Sequence, residues 1–392
     1  MFKLGLIVNP VAGIGGKVGL KGSDGAETQK KALCMGAKPE SGDKTRTAIR
    51  QLLEKMGERA GARGSAEASG NAGAEENAIE ILTFPGEMGA DIVRDFDFPC
   101  RVIGTIAPGA TTASDTAAAA VALRDAQADL ILFAGGDGTA RDVLDAVGMT
   151  IPVLGIPAGC KIHSGVYAIN PKAAGDLAAK YVEGLIRETK ESEVMDIDED
   201  LFRENIVNAK LYGYLKVPKE TRMMQNMKSG RSNSESGSVE QIARYLTDTM
   251  EDDALYIFGG GSTTMKIMET AGLTGTLLGV DLVHGKRMHK ADATENDILA
   301  ALDEHPKAKI IVTVIGGQGY VFGRGNQQIS AEVLRRVGKE NIIVAASKDK
   351  MYSLFGKSLL ADTGDEDMNE RLCGYYRVVV GYEESTMFRL IA

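Results

Sequence analysis

Residues 133–143 read FAGGDGTARDV, directly after the apolar run DLIL at 129–132. Three glycines, Gly135, Gly136 and Gly138, surround a single carboxylate, Asp137, and Thr139 then opens a helical pattern. A strand-to-helix turn needs one glycine at most, so this spacing marks a backbone that something else approaches closely. In a parallel sheet, ligands bind beyond the carboxyl ends of the strands. Glycine turns there let amide groups and the next helix's N-terminus face a phosphate. A carboxylate in such a place repels a polyanion unless it has a task. It can hold Mg²⁺, or it can accept the proton of a hydroxyl that attacks a phosphorus atom. It can also simply cap the helix, aspartate being a favoured N-cap.

Four more glycine turns follow apolar runs. The stretch 8–25 carries Asn9, Gly13, Gly15, Gly16, Lys17 and Lys21, and IPAG at 156–159 carries Pro157 and Gly159. FGGGSTT at 258–264 carries Gly261, Ser262, Thr263 and Thr264, and 315–328 carries Arg324, Asn326, Gln327 and Gln328. Together they predict a phosphorylated ligand held between two halves of the chain, with lysines 17 and 21 as phosphate partners. No Walker A spacing is present, and Gly13–Gly19 gives GxGxxxG rather than the GxGxxG of a hydride-transfer dinucleotide fold. His163 and Ser164 follow the IPAG turn, where a turn role is favoured over contact with substrate.

The elements that must carry these turns alternate. Apolar runs at 3–8, 78–84, 101–106, 129–134 and 152–156 read as strands. Helical patterns at 44–60, 87–95, 112–127, 139–147 and after Asn170-Pro171 fall between them. That order predicts an α/β fold, with an N-terminal doubly wound parallel-sheet domain over 1–188. A second domain, mixed α/β or β-rich, is expected over 189–374, with strands at 193–198, 208–217, 254–258, 275–283, 309–314 and 341–347. Residues 375–392 add a late strand that could return to either domain, the first included. Two glycine- and serine-rich stretches, 57–77 and 219–239, are expected to be a loop insertion and a lid or surface connector. In the second of these, Met223, Met224 and Met227 are expected to pack on the core rather than cover a ligand.

Composition narrows the choice of function. A net charge of −9 argues against a general phosphate-backbone binder, so no nucleic-acid partner is expected. Four scattered cysteines form no CxxC pattern, and four histidines make a histidine-built metal site improbable. No run reaches the ~18 apolar residues of a membrane span, and no signal peptide opens the chain, so a cytoplasmic protein without a membrane partner is expected. No serine, histidine and aspartate stand in an order that suggests hydrolysis.

Gly135-Gly136-Asp137-Gly138-Thr139 resembles the GGDGT signature of the superfamily of NAD kinases, diacylglycerol kinases and sphingosine kinases. Asn9-Pro10 with Gly13 resembles their opening NPxxG. Pro157-Ala158-Gly159 is similar to the PAGT region of the lipid kinases, with Cys160 where threonine is common. Gly261-Ser262-Thr263-Thr264 resembles the GSTA segment of NAD kinases. As a whole the chain is most similar to the ATP-NAD kinase-like branch called the acetoin-catabolism protein X group, through VMDIDED, LYGYLKVP, GGGSTT, IGGQG and GRGNQQ.

The resemblance implies a two-domain kinase with its active site in the cleft between the domains. Asp137 would activate the adenosine-ribose 2′-hydroxyl of NAD, with ATP or polyphosphate as donor and Mg²⁺ on the phosphates. A small-molecule nucleotide substrate and a homo-oligomer are the expected partners. The chain departs from NAD kinases in lacking a clear Asn-Glu/Asp pair for the nicotinamide side, for which Asp196 and Asp198 are candidates by position. It also has Met265 where a tyrosine follows GSTA. A kinase of another small alcohol or lipid, and a non-catalytic nucleotide-binding accessory protein on the same scaffold, are the alternative functions.

Overall fold

In the first half of the chain, five short strands form a parallel sheet, the inner ones covered on both faces as a sheet between two helical layers requires. They are β1 (Phe2–Val8), β2 (Ile79–Thr83), β3 (Cys100–Val102), β4 (Leu130–Gly135) and β5 (Val153–Pro157), in the spatial order β3-β2-β1-β4-β5. Every neighbouring pair is parallel. The computed structural model describes residues 1–16, 18–20, 26–66, 79–159, 162–197, 209–220, 223–224, 233–315, 319–354 and 357–392.

The helices of this half are α1 (Ala26–Cys34), α2 (Ser41–Ala66), α3 (Ala90–Val93), α4 (Ala113–Asp125), α5 (Asp137–Val147) and α6 (Pro171–Val182). Leu4, Leu6, Leu132, Phe133 and Leu154 of the strands meet Ile49 and Leu52 of α2, Leu123 of α4 and Leu177 of α6 in one core. α6 begins where predicted, with Asn170 accepting from Ala173 N at 2.6 Å and proline in the first turn.

Because β1 has β2 on one side and β4 on the other, the chain reverses its winding direction between β1 and β4. A crevice opens at such a switch point, beyond the strands' carboxyl ends. Val8 pairs with Ala134 in register, so the turns starting at Asn9 and Gly135 emerge side by side. The topology alone therefore brings NPVAG and GGDGT together.

Several predicted elements differ in extent. Of the loop expected over 57–77, the part to Ala66 is helical, its alanines and arginines favouring a helix despite the glycines, and 67–77 lie outside the described residues. The strand expected at 101–106 is the exposed edge Cys100–Val102, and 87–95 splits into a 3₁₀ turn, Gly86–Met88, and α3. β6 (Thr189–Ile197) and β7 (Ala209–Pro218) form an antiparallel hairpin, and its Val194, Leu215 and Val217 enter the first core.

The second half builds a nine-stranded mixed sheet. Its strands are β8 (Leu255–Phe258), β9 (Asp281–His284), β10 (Arg287–Lys290), β11 (Ala308–Thr313), β12 (Tyr320–Phe322), β13 (Ile342–Ala345), β14 (Leu359–Ala361), β15 (Gly374–Gly381) and β16 (Glu384–Ile391). Their order is β10-β9-β8-β11-β13-β15-β16-β14-β12, with β8, β11, β13 and β15 parallel. The C-terminal residues thus form a hairpin inside this second sheet and do not return to the first. The strand expected over 275–283 is confined to its last part because 276–279 folds around Asp281: Thr276 N and Oγ1 and Asp292 N all donate to that carboxylate. Among the described residues no helix is long and apolar enough to cross a membrane.

Candidate functional site

Three glycine turns of the first sheet interlock, and the glycines are there for one another. A Cβ on Gly13, whose φ is +79°, would lie 2.2 Å from the carbonyl oxygen of Ala158. One on Gly136 would lie 3.2 Å from Gly159 Cα, and one on Gly135 would overlap the Thr139 side chain. The amides of Ala158 and Gly159 both donate to Gly135 O at 2.9 Å. Asn9 Nδ2 donates to Thr139 Oγ1 at 2.9 Å, and Tyr167 Oη donates to Gly136 O. The space these glycines clear is thus filled by neighbouring backbone at Gly13 and Gly136 and by the Thr139 side chain at Gly135, and the Ala158 and Gly159 amides are already committed inside the protein.

Asp137 is the first residue of α5, with Gly136 at the cap position. Its carboxylate, expected to meet an incoming hydroxyl, is 5% exposed. Oδ2 accepts from His163 N at 2.7 Å and lies 3.1 Å from His163 Nδ1. Oδ1 accepts from Ser164 N at 3.0 Å and from Ser164 Oγ at 2.6 Å. The Ser164 hydroxyl also receives Met195 N at 3.0 Å, which ties the turn to β6. Asp137 is therefore neither a bare base nor a plain N-cap: it clamps the 163–164 turn onto the start of α5. Beneath it, burial first and the charges of Asp137, Asp196 and Asp142 next push the Tyr167 hydroxyl well above its usual range, so it stays a donor.

Residues 4–186 match the ATP-NAD kinase N-terminal domain, and residues 251–390 match the ATP-NAD kinase C-terminal domain. The chain belongs to the ATP-NAD kinase family. No curated protein matches it. Among solved structures it is similar to a protein from Bacillus anthracis str. Sterne, provisionally assigned as a diacylglycerol kinase, at 16% identity and a TM-score of 0.21. That likeness covers 31% of this chain and 43% of the other, and it carries no functional weight.

In this family member the second sheet repeats the strand–glycine–helix arrangement. Gly261, with φ +150°, precedes the helix Ser262–Thr270, and a Cβ there would lie 2.4 Å from Thr313 Cγ2 at the end of β11. Thr263 and Thr264 are buried, Ser262 is exposed, and Thr264 Oγ1 donates to Gly261 O at 2.8 Å. Beside them Thr313 Oγ1 is buried without a hydrogen-bond partner.

Other predicted candidates are occupied elsewhere. Arg324 is 8% exposed and donates through Nη2 to Ile169 O at 2.7 Å, while its guanidinium stacks 4.7 Å from the Tyr320 ring centroid. Asn326 bonds Gly323 N and Val321 O, closing its own turn. Asp196 pairs with Arg141 at 2.8 Å, and Arg141 also lies over the Tyr212 ring. Met224 is buried in the first core and Met223 packs against it, as expected. Pro157 ends β5, and Gly15 and Gly16 lie in the turn after β1, where a Cβ on Gly16 would overlap Gln327 Oε1 of the second half. Lys17, Lys21, Cys160, Asp198 and Met227 lie outside the described residues, as does part of the expected lid.

Two contacts were not anticipated from the sequence. Tyr167 fits beneath Gly155 and Gly136, and Ser164 joins Asp137 to β6. The signal for them was weak: a lone tyrosine and a lone serine in an apolar run, with partners set only by the fold.

Among the described residues no three of histidine, cysteine, aspartate and glutamate gather as a metal site. The Asp137 oxygens are each taken by two donors, so Asp137 itself offers no ready ligand to a divalent cation.

Proposed function

We propose that the protein transfers a phosphoryl group from ATP or inorganic polyphosphate to a ribose hydroxyl of NAD, yielding NADP. The observation that supports this best is the position of Asp137 at the first sheet's switch point, in a chain whose two halves match the two ATP-NAD kinase domains in order. The strand–glycine–helix turn at Gly261–Thr264 supports a second contact point on the other half. Divalent cation would arrive on the donor's phosphates as part of that substrate, where it neutralises developing charge.

A second reading, a kinase of a smaller alcohol, is favoured by one observation. Asp196, the positional candidate for the nicotinamide side, is engaged with Arg141. Purified protein assayed with ATP and with polyphosphate against NAD, diacylglycerol and small diols separates the readings. NADP formation is the expected result. Turnover on a diol alone would replace the acceptor, and tight nucleotide binding without turnover on anything would leave an accessory protein.

A further inference from the structure

We infer that the proton acceptor of this site is His163 Nε2, and that Asp137 is its positioning residue. The inference rests on the phosphotransferase reading above and assigns the proton's path within it. An ionised carboxylate offers about four lone-pair positions and no proton. On Asp137 those positions face His163 N, His163 Nδ1, Ser164 N and Ser164 Oγ. The Ser164 hydroxyl has one proton to give, and its 2.6 Å approach to Asp137 is closer than its 2.8 Å approach to Met195 O. A substrate hydroxyl would have to displace one of these donors before Asp137 could take its proton.

The imidazole has no such conflict. Because the carboxylate can only accept, Nδ1 must carry the hydrogen between them, which leaves the lone pair of a neutral ring on Nε2. The ring is held twice over, through its own Nδ1 and through the backbone amide of the same residue, both on Oδ2. Its side chain keeps 16% exposure where that of Asp137 keeps 5%, so the histidine is the more accessible member of the pair. A carboxylate that fixes the tautomer and steadies the imidazolium, with the far nitrogen doing the proton transfer, is a general arrangement for activating a hydroxyl.

The step balances as follows. The acceptor oxygen forms its bond to the terminal phosphorus of the phosphoanhydride donor. The bond from that phosphorus to the bridging oxygen breaks, and its electron pair leaves with the shortened donor. The hydroxyl proton passes to His163 Nε2, and the imidazolium, held against Asp137, later releases it to water.

The test uses His163→Asn, whose amide nitrogen can still donate to Asp137 but which has nothing in the place of Nε2. The variant is expected to bind NAD and ATP as the wild type does and to lose ~10²-fold or more in kcat, the usual contribution of a general base. The acid limb of the kcat–pH profile, produced by protonation of Nε2, is expected to disappear with it. In ¹⁵N spectra of wild type, the histidine signal missing from H163N, one of four in the chain, is expected to carry its proton on Nδ1; Asp137→Asn is expected to move that proton to Nε2. A kcat within threefold of wild type with an unchanged profile overturns the inference, as does a wild-type ring protonated on Nε2. If H163N does not fold, the ring is assigned instead as the one histidine signal that Asp137→Asn shifts, His284, His289 and His305 forming a ring cluster of their own, and it then decides. A wild type that transfers phosphate to no acceptor fails the phosphotransferase reading and the proton role together, whereas an active wild type with an equally active H163N fails the proton role alone.

Discussion

Gly13 and Gly16 sit three residues apart in one turn, yet a methyl group added at each meets a different fate. At Gly13 it would press on a backbone carbonyl, Ala158 O, from a residue already at φ +79°. Neither the carbonyl nor the left-handed conformation yields cheaply, so Gly13→Ala is expected to cost ~1–3 kcal/mol and to disturb the IPAG turn. At Gly16 the obstacle is the tip of the Gln327 side chain, which can swing away. Gly16→Ala is expected to stay below ~1 kcal/mol. Urea unfolding of both variants checks the order, and equal costs would mean the turn-on-turn contact is not a constraint. Thr139→Val belongs at this scale too: it leaves Asn9 Nδ2 without its acceptor and is expected to cost ~1–3 kcal/mol in the same experiment. The glycine spacing told correctly of close approach, but not of what approaches. The answer, backbone from β1, β4 and β5, depends on three turns far apart in the chain, which local spacing does not encode. For the same reason Asp137 was legible as the special residue of its turn while its partners His163 and Ser164, 26 and 27 residues on, were not.

Elements of the first half were readable because all its strands but the edge β3 are buried and its main helices show one apolar face. Where tertiary wrapping decides, the reading fell short: 276–279 is apolar enough for a strand but encloses the Asp281 carboxylate instead. That carboxylate and Glu251 give the second sheet opposing pH responses. Glu251, ahead of β8, is held down to about 2 by hydrogen bonds from Lys307 and then Lys309 at the start of β11. A carboxyl whose folded value is depressed stabilises the fold above its unfolded value and loses that contribution as pH falls toward the folded one. Glu251→Gln is therefore expected to melt below wild type at pH 6, with the gap narrowing as pH drops from about 4.5 toward 2. The pair is solvent-exposed, so the effect is modest and shrinks with salt. Asp281 works the other way: burial, the largest influence, raises its value, so its contribution declines as pH rises through that raised value. A Tm gap for E251Q that stays flat across this range would mean the lysine contacts between β8 and β11 contribute nothing.

At the scale of the whole molecule, two sheets have separate cores, and one carbonyl ties them together. Ile169 O accepts from Tyr320 Oη and from Arg324 Nη2, residues more than 150 positions further along the chain. Lys172 adds an exposed pair with Glu366, which contributes little. Sequence periodicity is blind to such a junction, and it likewise gave no sign that the β6–β7 hairpin joins the first core. The junction bears on the site because Ile169 lies at the end of the segment that starts with His163 and Ser164, and that segment is pinned at both ends: by Asp137 at one and by Arg324 with Tyr320 at the other. Arg324→Ala removes the charged donor and the stacking on Tyr320, together worth ~1–3 kcal/mol where the group is buried. The contacts described for the guanidinium lie at Ile169 and Tyr320 rather than on the central strands, so those strands are expected to keep their protection. Hydrogen exchange in R324A is expected to rise over 163–170 while β4 and β11 stay as in wild type, and kcat is expected to fall with the loosened histidine turn. Faster exchange in β4 or β11 would instead mean that the arginine supports the lobes themselves, and unchanged exchange over 163–170 would detach the junction from the site.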